Sequence, residues 1–314
     1  MKIAIDAMGC DNGVAAMVEG AVLAKTIYPQ VQPVFFGDEA TIRAETAKHG
    51  DFQIIHAPTV ITPDESPTLA FRRKKDSSIV MGLKYVKEGN AEGFVSAGST
   101  GALLTGATVI IGRKPGVERP ALGTLIPTRT GGHVLLLDCG ANMDCKPSYL
   151  AQFAALGTEY MQKCMKMESP RVGLINVGIE EEKGNTVAKE SFALLRDTNV
   201  NFVGNIEGRE IASGEVDVAV CDGFTGNIVL KHTEGFAKIL MGVIKEELMA
   251  STMSKIGALL ARGSFNRVKK RFDYREVGGA PFLGLNHIVI KAHGSSDALA
   301  IKNAIRQCVE FSQQ

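Results

Sequence analysis

Gly93-Phe-Val-Ser-Ala-Gly-Ser-Thr-Gly101 reads as the carboxyl end of a strand, a turn of small and hydroxylated residues, and the first turn of a helix that continues to Ile110. A strand that passes through glycines into a helix is the unit of parallel sheets, and the unit recurs along the chain. Short runs rich in Val, Ile and Leu predict strands at Lys2–Asp6, Val34–Gly37, Gln53–Ala57, Gly93–Ser96, Val134–Asp138, Val172–Val177, Asn201–Val203, Val216–Cys221 and Ile288–Ala292. Longer patterns between them predict helices at Ser77–Glu88, Gly101–Ile110, Tyr149–Met165, Thr186–Asp197 and Ser296–Glu310. The strands show little polar alternation, which suits burial on both faces. The expected class is therefore α/β with a mostly parallel sheet.

The 314 residues suffice for one large α/β domain, or two closely fused lobes, with a substantial core. A net charge of +1 gives no overall field to draw the chain onto nucleic acid, so no nucleic-acid partner is expected. The six cysteines are scattered without a C-x-x-C pair, which fits reduced thiols in a cytoplasmic protein. Met1-Lys-Ile-Ala-Ile-Asp6 lacks the apolar core of a signal peptide and reads as a strand. No uninterrupted apolar stretch reaches spanning length, so contact with a membrane would be peripheral.

One segment breaks the alternation. About residues 235–274 carry no strand signal and read as a long helix or helical hairpin. An apolar midpoint, Ile256-Gly-Ala-Leu-Leu-Ala261 with Leu259 and Leu260, precedes Arg262, Arg267, Lys269, Lys270 and Arg271. Two readings stand: a helix packed on the domain or at a dimer interface, and an arm whose apolar tip and basic flank meet lipid or an acidic protein.

Ligands of open parallel sheets bind beyond the carboxyl ends of the strands. Here those ends carry Asp6-Ala-Met-Gly9-Cys-Asp-Asn12, Ser96-Ala-Gly-Ser99-Thr100-Gly101, Asp138-Cys-Gly-Ala-Asn142, Asn176-Val-Gly178, Asp222-Gly-Phe-Thr-Gly226-Asn227 and His293-Gly-Ser295-Ser296, which together outline a polar, glycine-lined cleft. The 96–101 loop is the best phosphate candidate: glycines admit an anion to the backbone, hydroxyls donate, and a helix start follows. A Ser/Thr helix cap would use the same residues. Lys183-Gly-Asn185 can hold phosphate or polarise a carbonyl, or form a salted surface turn beside Glu180, Glu181 and Glu182. Asp222 can orient a substrate or cap the next helix.

Several chemistries lack their residues. There is no Walker loop, no well-placed dinucleotide fingerprint and no G-x-S-x-G elbow. Carboxylates, His and Cys lack metal-ligand spacing, so neither a metal nor a cofactor is expected.

Taken in order, these loops, with Glu118-Arg-Pro-Ala-Leu122, Gly204-Asn-Ile-Glu-Gly-Arg209 and Gly278-Gly-Ala-Pro-Phe-Leu-Gly284, resemble the bacterial phosphate acyltransferases of phospholipid synthesis over essentially the whole length. The sequence departs from that family at Cys10, where a second Gly is usual, at Gly13-Val14, and at Ser99, where Asn is more familiar. The resemblance implies a three-layer α/β/α fold similar to the isocitrate/isopropylmalate dehydrogenase group, with the helical arm projecting from it. It implies conversion of acyl-ACP and orthophosphate into acyl phosphate and free acyl carrier protein. A homodimer at the membrane would pass the product to a glycerol-3-phosphate acyltransferase. On that reading Lys183, Asn185, Asp222 and Asn227 carry the chemistry. Asp6, Gly9, Ser99, Thr100, Gly101, Asn142, Gly226, His293 and Ser295 line the substrate pocket, and Leu259, Leu260 and the following basic residues contact carrier or membrane. Competing readings are a decarboxylating dehydrogenase, a phosphotransacetylase-like transfer from acyl-CoA, and a non-catalytic membrane-docking scaffold.

Overall fold

Successive residues of the first strands point into different cores. Ile3 and Ile5 face one hydrophobic cluster while Ala4 faces another, and Phe35 and Val95 are likewise opposed to Phe36 and Phe94. In the second half, Leu135 and Leu137 face a cluster opposite that of Val134 and Leu136. Strands with apolar side chains on both faces must be covered on both faces, which makes the three layers.

The computed structural model describes residues 1–312. Its strands are β1 (Lys2–Asp6), β2 (Gln32–Gly37), β3 (Gln53–His56), β4 (Gly93–Ser96), β5 (Ala121–Pro127), β6 (His133–Leu137), β7 (Arg171–Ile175), β8 (Asn201–Ile206), β9 (Val218–Val220), β10 (Gly279–Leu283) and β11 (Ile288–Ala292). They form one eleven-stranded sheet in the order β3-β2-β1-β4-β11-β10-β5-β6-β9-β7-β8. The pairings are parallel except β11–β10, β10–β5 and β5–β6. Those three reversals mean that β6, β9, β7 and β8 run opposite to β1–β4 and β11.

The helices are α1 (Gly13–Ile27), α2 (Glu39–Thr46), α3 (Pro67–Arg73), α4 (Ser78–Lys87), α5 (Thr100–Gly106), α6 (Pro147–Met165), α7 (Thr186–Arg196), α8 (Gly223–Met249), α9 (Thr252–Leu260), α10 (Arg262–Arg271), α11 (Tyr274–Val277) and α12 (Ala298–Ser312). α1 and α12 pack together on one face of the β1 side, and α4 and α5 cover the other.

β5 and β10 lack a counterpart among the predicted strands. Their sequences, Ala-Leu-Gly-Thr-Leu-Ile-Pro and Gly-Ala-Pro-Phe-Leu, contain the Gly and Pro that ordinarily punctuate strands. The arm also differs from expectation. Its first helix begins at Gly223, and the chain then turns at Ser251, whose hydroxyl accepts from Ser254 N at 3.0 Å to cap α9. α9 and α10 contain no buried residue, so the arm stands away from the core. No described helix is long and apolar enough to cross a membrane.

Candidate active site

The carboxyl ends of β1, β4 and β11 are neighbours, and their loops interlock. Ser96 Oγ donates to Asp6 Oδ2 at 2.6 Å and accepts from Gly98 N at 3.0 Å, while Met8 N donates to Asp6 Oδ1 at 3.1 Å. The β1 and β4 loops meet backbone to backbone: a methyl group added at Gly9 would lie 2.4 Å from Gly98 Cα. Only glycine permits that approach. Ser99 is buried and caps α5 by accepting from Ala102 N at 3.4 Å; Thr100 and Gly101 form the first turn.

β11 adds a cation and an imidazole. Lys291 Nζ donates to the carbonyls of Ala97, at 3.2 Å, and Ala292, and it forms no ion pair among the described residues. Burial pulls its ammonium down to about 8, against the opposing pull of Asp6, Asp11 and Cys10. His293 Nδ1 lies 2.8 Å from Ser295 Oγ and accepts from Ser295 N at 3.2 Å, which leaves Nε2 carrying the proton of the neutral ring. His293 and Ser295 are both exposed, and Tyr274 stands beside the imidazole with its ring centroid 5.6 Å away. Cys10 is tucked against the Gly294 and Ser296 carbonyls, and burial raises its thiol. Asn12 Nδ2 donates to Ser295 O at 2.9 Å and Ser296 O at 3.0 Å, closing the β1 loop onto the β11 loop.

A second polar group occupies the ends of β6 and β9. The buried Asp138 carboxylate accepts from Leu122 N at 3.0 Å, Ala141 N at 3.1 Å, Asn142 N at 2.7 Å and Asn142 Nδ2 at 2.9 Å. Burial raises this carboxyl, while the donors pull the other way. Gly223 N donates to Asn142 O at 2.8 Å, and a methyl group at Gly226 would fall 1.9 Å from Asp138 O, so α8 starts in direct backbone contact with the loop. Asp222 caps α8, accepting from Thr225 N at 2.8 Å and Thr225 Oγ1 at 3.1 Å. The Asn227 side chain packs over Gly140 with no hydrogen bond of its own among the described residues.

Lys183 and Asn185 form a third group beyond β7. Asn176 Nδ2 holds the Lys183 carbonyl at 3.0 Å, and Asn185 Oδ1 caps α7 by accepting from Ala188 N at 2.9 Å. Both side chains are exposed, and among the described residues no hydrogen bond or ion pair joins Lys183 to Asp222 or Asn227. The structure thus gathers Asp6, Gly9, Ser99, Thr100, Gly101, His293 and Ser295 into one group and Asn142, Asp222, Gly226 and Asn227 into another, with Lys183 and Asn185 apart. Sequence reasoning placed Ser96 and Asp138 in the cleft loops without giving either a role, and it gave none to Lys291. The available signal was a lysine inside an otherwise apolar strand, Ile288-Val-Ile-Lys-Ala292.

In the arm, Leu259 and Leu260 are 68% and 84% exposed. Phe236, Ile239, Leu240 and Val243 leave an exposed apolar stripe at helical spacing on α8. Arg262 and Lys269 form no hydrogen bond or ion pair among the described residues, although Lys269 lies close enough to Asp273 to act on its charge, whereas Arg267 donates to Ser264 Oγ, Lys270 lies 4.0 Å from Glu276 and Arg271 donates to the Thr128 carbonyl. Arg275 binds both Asp273 and Asp297, which ties the root of the arm to the start of α12.

Over residues 1–314 the chain matches the profile of a family described as fatty acid synthesis protein. It is 49% identical over 317 residues to the phosphate acyltransferase of Clostridioides difficile (strain 630), covering 100% of this chain and 93% of that one. Among solved structures, a phosphotransacetylase from Streptococcus pyogenes superposes with a TM-score of 0.65 at 20% identity, over 100% of this chain and 94% of that chain. A 4-hydroxythreonine-4-phosphate dehydrogenase from Klebsiella pneumoniae gives 0.56 at 13% identity, over 98% and 99% of the two chains. At such identities the two structures share the fold alone, and the second places the sheet with the dehydrogenase-like folds.

Proposed function

Because the chain belongs to the phosphate acyltransferase family of fatty acid synthesis proteins, and is therefore a transferase, we propose that it converts acyl-ACP and orthophosphate reversibly into acyl phosphate and free carrier in phospholipid synthesis. The observation that carries the phosphate half of this reading is Lys291. A largely buried ammonium held on carbonyls and paired with no carboxylate among the described residues supplies positive charge beside the glycine and hydroxyl loops of β1, β4 and β11. An anion there gains the cation and the His293 Nε2–H.

A phosphate oxygen attacks the thioester carbonyl, forming the new C–O bond. The tetrahedral oxyanion collapses with cleavage of the C–S bond, and the departing thiolate takes a proton from water. A thiol of ordinary pKa, about 8.5, leaves without strong acid help. The enzyme therefore contributes position and charge. Lys183, with the free amide N–H groups of Asn185 and Asn227, stabilises the oxyanion. Asp222 acts by positioning, since both its oxygens are committed to the α8 cap. A twist of about 20–25° per strand, summed over the steps from β1 to β6, rotates the oppositely directed halves by roughly 100–125°. That rotation favours a cleft shared by both sets of strand ends.

The apolar stripe of α8 would be covered by a second copy of the chain, and Leu259, Leu260, Arg262 and Lys269 would meet a membrane surface. There the product would pass to a glycerol-3-phosphate acyltransferase. The test is release of carrier thiol from palmitoyl-ACP with and without orthophosphate. Phosphate-dependent release is expected; a folded protein that releases none refutes the assignment.

A further inference from the structure

α3 packs alongside α5, the helix that leaves the 96–101 loop. A methyl group at Gly101 would lie 2.7 Å from the Pro67 ring, and one at Gly106 would lie 3.2 Å from the Phe71 ring. The two helices therefore run side by side, and the far end of α3 stands on the order of 10 Å from the loop, at a rise of about 1.5 Å per residue. On its outer face, Leu69, Arg72 and Arg73 share one helical stripe. Leu69 is 52% exposed, and Arg72, Arg73 and Lys75 are exposed without any ion pair among the described residues. Lys74 differs: it is spent on Glu65 at 2.7 Å and on the Val60 carbonyl, which fixes the turn that follows. Beside this face a recess of about 480 Å³ is lined by the apolar Phe36, Ile55, Met81 and Tyr85, by Lys75 and Lys84, and by Asp76 and Glu88. Lys87, one turn further along α4, is also exposed and unpaired.

Five cations that form no ion pair among the described residues, outnumbering Asp76 and Glu88 around an apolar stripe and a shallow recess one helix away from the phosphate loop, match a partner that is acidic and helical. We propose that the Leu69–Arg72–Arg73 face of α3, with Lys75, Lys84 and Lys87, is where the acyl carrier protein docks to present its thioester. The inference rests on the acyl-carrier reading given above. The arm is the weaker dock for that partner, because Arg267, Lys270 and Arg271 already engage groups of their own chain.

The experiment compares wild type with Arg72→Glu/Arg73→Glu/Lys75→Glu and the milder Arg72→Gln/Arg73→Gln. The measurements are the Kd for fluorescently labelled carrier, KM for palmitoyl-ACP, KM for orthophosphate and kcat at saturation. Rim charges steer and orient encounter, so the reversal is expected to raise Kd and KM for the carrier at least about tenfold. KM for phosphate and kcat should stay within about twofold, and the salt dependence of kcat/KM should flatten. The Gln pair should fall between. Unchanged carrier Kd and KM in a folded variant overturns the docking site while leaving the acyltransfer reading intact. A parallel loss of kcat and phosphate affinity overturns it too, by showing damage to the site itself. No thiol release by wild type would instead sink the acyl-carrier reading.

Discussion

Replacing Lys291 with Met removes the buried ammonium and keeps the volume of the stem. The gap between the ordinary lysine value of 10.5 and about 8 corresponds to about 3 kcal/mol of burial cost on the charged form. The substitution relieves that cost and loses two bonds to carbonyls, each worth about 1.5–3 kcal/mol when the donor is charged. Their sum of about 3–6 kcal/mol meets or exceeds that relief, so Lys291→Met should fold with a stability loss of at most about 3 kcal/mol. The folded value lies below the unfolded one, so between about pH 8 and 10.5 the unfolded chain holds more protons and wild-type stability from this group rises with pH. Below about pH 8 the cost is fully present, and in the variant this dependence vanishes. Phosphate binding should respond differently. Losing one partly desolvated cation against an anion removes about 1.5–3 kcal/mol, which raises KM for phosphate about ten- to hundredfold. Initial rates of thiol release against phosphate concentration, from about pH 6.5 to 9.5, read both effects. Wild-type affinity should fall as pH rises through about 8, and the variant should be weak and flat. A folded variant with wild-type KM and the same alkaline limb refutes the role of Lys291.

Lys183→Ala, at an exposed side chain, should leave the unfolding free energy unchanged within about 0.5 kcal/mol and lower kcat at least about a hundredfold, as for loss of an oxyanion donor; unchanged turnover would remove Lys183 from the chemistry. Gly226→Ala drives a methyl group into the Asp138 carbonyl and should destabilise by about 2–3 kcal/mol or abolish soluble expression, as judged by denaturant unfolding. Asp222→Ala removes the α8 cap, at a cost of about 1 kcal/mol; a larger drop in kcat than stability explains would show that the displaced first turn carries Asn227 out of place. Leu259→Glu/Leu260→Glu should cut co-sedimentation with vesicles containing anionic lipid while turnover on soluble palmitoyl-ACP persists; undiminished binding would exclude the α9 tip from membrane contact.

Strands buried on both faces announce themselves as runs of Val, Ile and Leu, so β1, β4, β6 and β11 were legible within a residue or so. β5 and β10 were hidden because Gly123, Pro127 and Pro281 read as breaks, yet these two strands supply the antiparallel centre that reverses the second half of the sheet. The strand-end loops were legible as a set because glycine and hydroxyl residues have few uses at such positions. Their partition was hidden: which loops touch depends on strand order, and strand order is a long-range property. Asp222, Asn185 and Ser99 show the same limit at the level of one side chain. Asp222 and Ser99 were each readable as a cap or as a substrate contact, Asn185 as part of an anion site or of a surface turn, and the structure shows a cap in all three. Lys291 was overlooked because a lysine in a strand ordinarily reaches solvent, and only the closure of the β1 and β4 loops over β11 buries it.

The position of β11 bears on how the chain is made. This strand, synthesised after β1 to β10, lies between β4 and β10 at the heart of the sheet. Until it arrives, β4 presents an unpaired edge, and α1 lacks the α12 surface formed by Ile301, Ala304, Ile305 and Cys308. The amino-terminal half therefore cannot mature as an independent unit during synthesis. A nascent chain stalled before residue 288 would display a sticky sheet margin and a bare apolar helix face, the two features that recruit chaperones and seed aggregation.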